Sequence, residues 1–233
     1  MAVARFVGVG VSDYDQGHLR LDRAVADVEE VASLLEGSSF QCTVLRDPDE
    51  QSARDLLRGL RDSMPEPGGS LVLMWSGHAI RSPADGLRLL ARDSGSYHSD
   101  GLGTGSDVAA PCAESGASQL LLIVDTCFSG EAVAAGELAT RIMQLSPPEG
   151  EHVWVGVLTS CLPAEMARDG VFGQRLAQLL ASGPEAGPDT RALLVQRWSP
   201  QSEYIRGDDL CDAVLKTWDA AAHSPDFQSH GNA

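Results

Sequence analysis

Two side chains in this sequence have the types and the setting needed to attack a carbonyl: His78 in WSGHA and Cys127 in DTCFSG, 49 residues apart. A free thiol is mostly protonated at neutral pH and attacks well only as the thiolate, so it needs a base to take its proton. An imidazole can do that and, once charged, can protonate a departing amine. A nearby imidazole and a helix N-terminus after the cysteine would both favour the thiolate. A backbone N–H beside the sulfur can hold the oxyanion, and Gly130 with its small neighbours leaves room for substrate. Each residue also has a plainer reading: a cysteine after a strand is often a small core hydrophobe, and a lone histidine is often a satisfied core residue.

The elements that would position these residues alternate between apolar, β-branched runs and stretches of helical period. That alternation predicts an α/β protein, a three-layer α-β-α sandwich around a mainly parallel sheet. Expected strands are Arg5–Val11, Phe40–Leu45, Leu71–Trp75, Leu120–Val124 and Val153–Leu158; LVLMW and LLLIV are continuously apolar, as befits strands buried on both faces. A first helix opens at Asp22, repeats Ala24, Val28, Val31 and Leu35 on one face, and ends at Gly37. Further helices are expected over Gln51–Met64, from about Ser106, and over Glu131–Leu145, Val171–Leu180 and Asp208–Trp218, with ARDSGSYHSDGLGTGSD as a Gly-rich loop. In a parallel sheet, reactive groups belong just beyond the carboxyl ends of the strands. His78 follows one central strand and Cys127 the other, so if those strands are neighbours about 5 Å apart, thiol and imidazole can converge.

The bulk numbers narrow the classes. A chain of 233 residues, 43% hydrophobic, can bury one sizeable core, so one domain over 1–222 is expected. SPDFQSHGNA has no pattern, making 223–233 a tail or the point where a longer protein was cut. A net charge of −16 argues against a nucleic-acid partner. No apolar run approaches the roughly 20 residues of a membrane span, and MAVARFVGVGV has no signal-peptide layout, so a cytoplasmic protein is expected. Lys216 alone among 17 basic residues is lysine, a bias of GC-rich bacterial genomes. Five cysteines without CxxC pairs read as reduced thiols: Cys42, Cys112 and Cys211 as core, and Cys161 as a structural thiol near the site.

On these motifs the sequence resembles the caspase and metacaspase-like cysteine peptidases. WSGHA looks like that family's histidine motif and DTCFSG its metacaspase-type cysteine motif, and the separation fits the family spacing of about 50. The resemblance extends from FVGVGV through LDRAVADVEEVASLL to SCLPAEMARDGVFGQRLAQLL. It implies His78 and Cys127 as the catalytic residues of an endopeptidase, with the backbone of residue 79 and Cys127 forming the oxyanion hole. The family usually has glycine after the histidine; Ala79 keeps the N–H but loses backbone freedom. Asp125 and Asp27 match the acidic pocket positions of the metacaspase group, which implies cleavage after Arg, then Lys, since two carboxylates can grip a guanidinium. Without the resemblance, Asp27 reads equally as a solvated helix carboxylate and Asp125 as a turn cap.

Arg20 and Arg23 keep an aspartate-specific pocket in view. Asp47, Asp49 and Glu50 are read as a turn and helix start rather than a calcium site, and His98 as a solvated loop residue. No metal or cofactor is expected. The partners implied are a protein or peptide substrate and a regulatory partner or missing domain, in a bacterial regulatory or defence setting. SPPEGE offers no Arg or Lys for self-cleavage, which suggests a chain that works unprocessed. The competing classes are a non-catalytic interaction module of the same fold and a small-molecule-binding doubly wound domain. The latter is disfavoured because VGVGVSDYDQG is neither a Walker loop nor GxGxxG.

Overall fold

The computed structural model describes residues 4–38, 40–64, 68–83, 86–127, 134–145, 154–162, 165–183, 206–218 and 223–231. Its centre is a six-stranded sheet built from β1 (Ala4–Gly10), β2 (Phe40–Arg46), β3 (Ser70–Gly77), β7 (Gln119–Thr126), β8 (Trp154–Thr159) and β9 (Asp226–His230), in the order β2-β1-β3-β7-β8-β9. All neighbours are parallel except the last pair. A second, antiparallel sheet joins β4 (Ala79–Ser82), β5 (Gly86–Leu89) and β6 (Leu102–Gly103).

The apolar runs of the central strands divide their side chains between two cores, because successive residues of a strand point to opposite faces. Leu120, Leu122 and Val124 join Val7, Val9, Leu71, Leu73 and Trp75 on one face. That face is covered by α2 (Glu50–Arg58), α3 (Leu60–Ser63), α4 (Ala110–Glu114) and α5 (Ala134–Leu145) through Leu57, Leu60, Ala113 and Ile142. Leu121 and Ile123 join Phe6 and Met74 on the other face, under α1 (Ala24–Glu36), α6 (Val171–Ser182) and α7 (Gly207–Lys216), which supply Val28, Val31, Phe172, Leu176 and Val214. The expected α-β-α sandwich is therefore what forms.

Four details differ from the sequence reading. The helix expected over Gln51–Met64 is two, interrupted at Gly59, a residue type unfavourable in a helix interior that stands at the junction of α2 and α3. The helix expected near Ser106 opens as a wide π turn, Thr104–Ala109, before α4. The Gly-rich loop contains β6, which joins β4 and β5 from the residues between His78 and that loop, where the sequence reading placed no strand; Leu87, Leu89 and Leu102 are buried and anchor this second sheet. The presumed tail holds β9, antiparallel to β8, with Phe227 packed against Trp154 at 6.5 Å between ring centroids. Gly130, the segment just after Cys127 and the loop 146–152 lie outside the described residues.

Candidate active site

β3 and β7 are hydrogen-bonded neighbours in register, with Gly77 opposite Thr126. The next residue on each chain is His78 on one and Cys127 on the other. Both line one small cavity, about 30 Å³, together with Leu21, Ser76, Gly77, Asp125, Thr126, Ala167, Arg168, Asp169 and Gly170. That volume suits one or two waters.

The imidazole is held from three sides by the loop that leaves β1. Its Nε2 lies 2.7 Å from the Leu19 carbonyl oxygen. A carbonyl only accepts, so Nε2 carries the proton, and in the neutral ring Nδ1 keeps the lone pair that a base needs. The Tyr14 ring packs on the imidazole at 4.9 Å, and the Tyr14 hydroxyl accepts from the His78 backbone N–H at 2.7 Å. Burial, opposed by the Leu19 contact, holds the His78 pKa below the ordinary histidine value, and His18, with its ring 5.9 Å away, pushes in the same direction as burial.

Cys127 Sγ faces the Ala167 carbonyl at 3.7 Å, and burial pushes its pKa above the ordinary thiol value. Neutral thiol beside neutral imidazole is thus the favoured state at neutral pH, in place of the thiolate expected from the sequence.

Alanine at position 79 does not disturb the backbone donor. Ala79 and Leu89 form a non-hydrogen-bonded pair of the antiparallel ladder, because Leu90 N–H donates to the His78 carbonyl at 3.0 Å. In a trans peptide the C=O and N–H point in opposite directions. With the His78 carbonyl turned toward Leu90, the Ala79 N–H points out of the β4–β5 ladder.

The acidic positions are brought together unequally. Asp125, the next-to-last residue of β7, is only 7% exposed, and accepts from Ser76 Oγ at 3.3 Å and from the Ser160 hydroxyl. Burial drives its pKa up to about 7, and neighbouring Asp27 and Asp169 add to the rise. Asp27 is not on a solvated face: it is fully buried, because α6 passes close enough that a Cβ on Gly173 would sit 2.5 Å from the Asp27 Cγ. Arg23 Nε donates to Asp27 Oδ1 at 2.9 Å, while Oδ2 has no hydrogen-bond partner. Burial raises the Asp27 pKa to about 6, against the pull of Arg23. Asp27 does not line the cavity; Asp169 does. The Asp169 carboxylate also accepts from the backbone N–H groups of Asp22, at 2.6 Å, and Arg23, at 3.2 Å, securing the start of α1.

Other singled-out residues have local partners. Arg20 pairs with Asp13, and Arg23 with Asp27 and Glu30. Asp47 accepts from Ser12 and Asp13 N–H groups, Asp49 caps α2 through Ser52, and Glu50 accepts from Gly101 N–H and the Ser94 hydroxyl. His98 Nδ1 donates to the Arg81 carbonyl. Cys161 is buried, with its sulfur 3.4 Å from the Thr126 and Glu165 carbonyls; Cys112 and Cys211 are buried, whereas Cys42 is only partly so. Sequence reasoning missed Asp169, whose RDG context looks like an ordinary helix start, and Tyr14, which stands in a polar loop. The Leu19 contact is made by backbone and leaves no signal in residue type.

A thiol and an imidazole on adjoining exits of a parallel sheet, inside a three-layer sandwich, define a caspase-like architecture. A family model described as the caspase domain matches residues 7–196, and the chain belongs to that family. Among solved structures, protein GSU0716 from Geobacter sulfurreducens aligns over 99% of this chain and 94% of its own, with a TM-score of 0.66 at 14% identity. The Drosophila initiator caspase Dronc aligns over 97% and 78%, with a TM-score of 0.58 at 10% identity. Caspase-1 from Spodoptera frugiperda aligns over 97% and 86%, with a TM-score of 0.57 at 12% identity. At such identities the likeness is one of fold. A search of curated proteins found no match. Among the described residues, no helix is long and apolar enough to cross a membrane.

Proposed function

We propose that this protein is a cysteine endopeptidase that makes limited cuts in proteins after Arg, and less readily after Lys. The observation that carries the reading is the shared cavity: His78, with its Nε2 proton committed to Leu19, and Cys127 stand at adjoining strand exits and line the same wall. Nδ1 takes the thiol proton as sulfur attacks the scissile carbonyl carbon. The resulting oxyanion is held by the N–H groups of Ala79 and Cys127. The imidazolium gives its proton to the departing amine, leaving a thioester. Water, deprotonated by the same nitrogen, attacks the thioester and releases the acid and the free thiol.

Specificity for a basic residue rests on the carboxylates of Asp125 and Asp169 in the cavity wall, with Asp27 behind them. The engagement of Arg20 and Arg23 with acidic partners counts against an aspartate pocket, although Arg168 also lines the cavity. A bacterial regulatory or defence setting, with a partner or further domain supplying control, is part of the same proposal and follows from the family resemblance. A second reading, a non-catalytic module, draws on the thiol facing Ala167 instead of the imidazole. Turnover of paired fluorogenic peptides with Arg or Asp before the scissile bond tests the proposal. Cleavage of the arginyl peptide alone is expected; faster cleavage of the aspartyl peptide would overturn the pocket assignment, and cleavage of neither would favour the module.

A further inference from the structure

We infer that Tyr14 is a positioning residue for the site: its hydroxyl fixes the backbone at His78, and its ring fixes the imidazole. The inference rests on the catalytic reading above but concerns a residue that reading does not use. Tyr14 Oη accepts the His78 N–H at 2.7 Å and donates its own proton to the Val11 carbonyl at 3.1 Å, so one hydroxyl ties the exit of β1 to the exit of β3. The same ring lies against the imidazole, with centroids 4.9 Å apart and planes at 41°. Burial holds the phenol pKa above its ordinary value, so the hydroxyl keeps the proton that it gives to Val11.

The neighbouring sequence is shaped for this contact. A Cβ on Gly77 would lie 2.8 Å from Tyr14 Oη and 3.3 Å from Val11 Cβ, so the glycine before the histidine is what lets the hydroxyl reach the backbone. The loop that carries Tyr14 is itself pinned at several points. Val11 N–H donates to the Ser76 carbonyl at 2.9 Å, Asp15 N–H to the Arg92 carbonyl at 2.8 Å, and His18 Nε2 to the Gly95 carbonyl at 2.9 Å. The loop also supplies the Leu19 carbonyl that orients the imidazole. Tyr14 acts at the first of two successive peptide groups, and the His78 carbonyl bond to Leu90 N–H fixes the second, whose N–H is that of Ala79. Together they set where the base stands and where the oxyanion donor points. Misplacement by about 1 Å at such a site can cost on the order of a hundredfold in rate.

Tyr14 also packs against the core, and a purely structural role is separated by Tyr14→Phe, which keeps the ring and removes the hydroxyl. Two readouts are taken on wild type and variant: kcat and KM on an arginyl peptide, and the pH profile of iodoacetamide alkylation at Cys127 followed by peptide mass mapping, with Cys127→Ala as blank. We expect kcat to fall about tenfold with KM within about twofold, and alkylation near pH 7 to fall about tenfold as the thiol loses its aligned base. Gly77→Ala, which crowds the hydroxyl from the other side, is expected to reproduce the alkylation defect and decides the matter if Tyr14→Phe does not fold. A Tyr14→Phe enzyme with kcat and alkylation profile within twofold of wild type overturns the inference. If wild type cuts no peptide, the proteolytic reading fails, but the alkylation profiles still decide the role of Tyr14.

Discussion

Protonation of Asp125 should govern how well the site holds a cationic side chain. With a pKa of about 7 in the folded protein, Asp125 is about one-tenth ionised at pH 6 and about nine-tenths at pH 8, which makes carboxylate-dependent affinity rise roughly ninefold. Asp27, at about 6, goes from about half to nearly full ionisation and adds about a factor of two. His78 is held below its ordinary value by burial, so its residual positive charge fades over the same range and acts in the same direction. The assay is calorimetric titration of arginine methylamide into Cys127→Ala from pH 6 to 8, in buffers of differing ionisation enthalpy. Near pH 7, binding should release about half a proton from Asp125, because the bound cation favours the ionised form. Asp125→Asn should lose the roughly ninefold component and retain only the shallower rise from Asp27 and His78. Affinity independent of pH over this range, or an Asn variant with the full rise, would refute the argument.

Other consequences are open to simpler tests. Asp125 and Asp27 bind their protons more tightly in the folded chain than in the unfolded one, so the part of the stability that they contribute should fall as pH rises from about 4 to about 7, read as a pH-dependent difference in thermal midpoint between wild type and Asp125→Asn. Ala79→Gly should leave kcat within about threefold, because the His78 carbonyl contact with Leu90 already orients the Ala79 N–H. It should cost about 1–2 kcal/mol in chemical denaturation, from added backbone freedom and a lost buried methyl. Arg23→Gln removes the partner of Asp27 Oδ1 and with it the cation that opposes burial, so the Asp27 carboxyl should titrate above its wild-type value of about 6, an upward move read from its carboxyl resonance by NMR; an unchanged titration would mean that Arg23 does not govern the charge of Asp27.

The central strands were legible because burial on both faces leaves no room for polar residues, and α1 because Ala24, Val28 and Val31 repeat on one face. The helical period also puts Asp27 on that face, three residues after Ala24, so its burial could have been read, whereas the approach of Gly173 that seals it could not. The small sheet escaped notice because four-residue strands carrying Arg81 and Arg88 show little alternation. β9 was missed because an edge strand with a mostly exposed face needs few apolar residues, and its pairing with β8 spans a long stretch of chain. His78 and Cys127 could be placed at strand exits from their local motifs, and the register of β3 and β7 brings those exits side by side. The supporting groups are less visible: a carbonyl has no side-chain identity, and Asp169 is distant in sequence from the α1 residues that it secures.

The central claim, that His78 and Cys127 work as one catalytic unit, is most directly tested by kcat/KM on an arginyl peptide for wild type, His78→Ala, Cys127→Ala and the double variant. The account predicts that either single substitution abolishes nearly all turnover and that the double is no worse than the singles. A His78→Ala enzyme within a few-fold of wild type, or losses that multiply in the double variant, would contradict it.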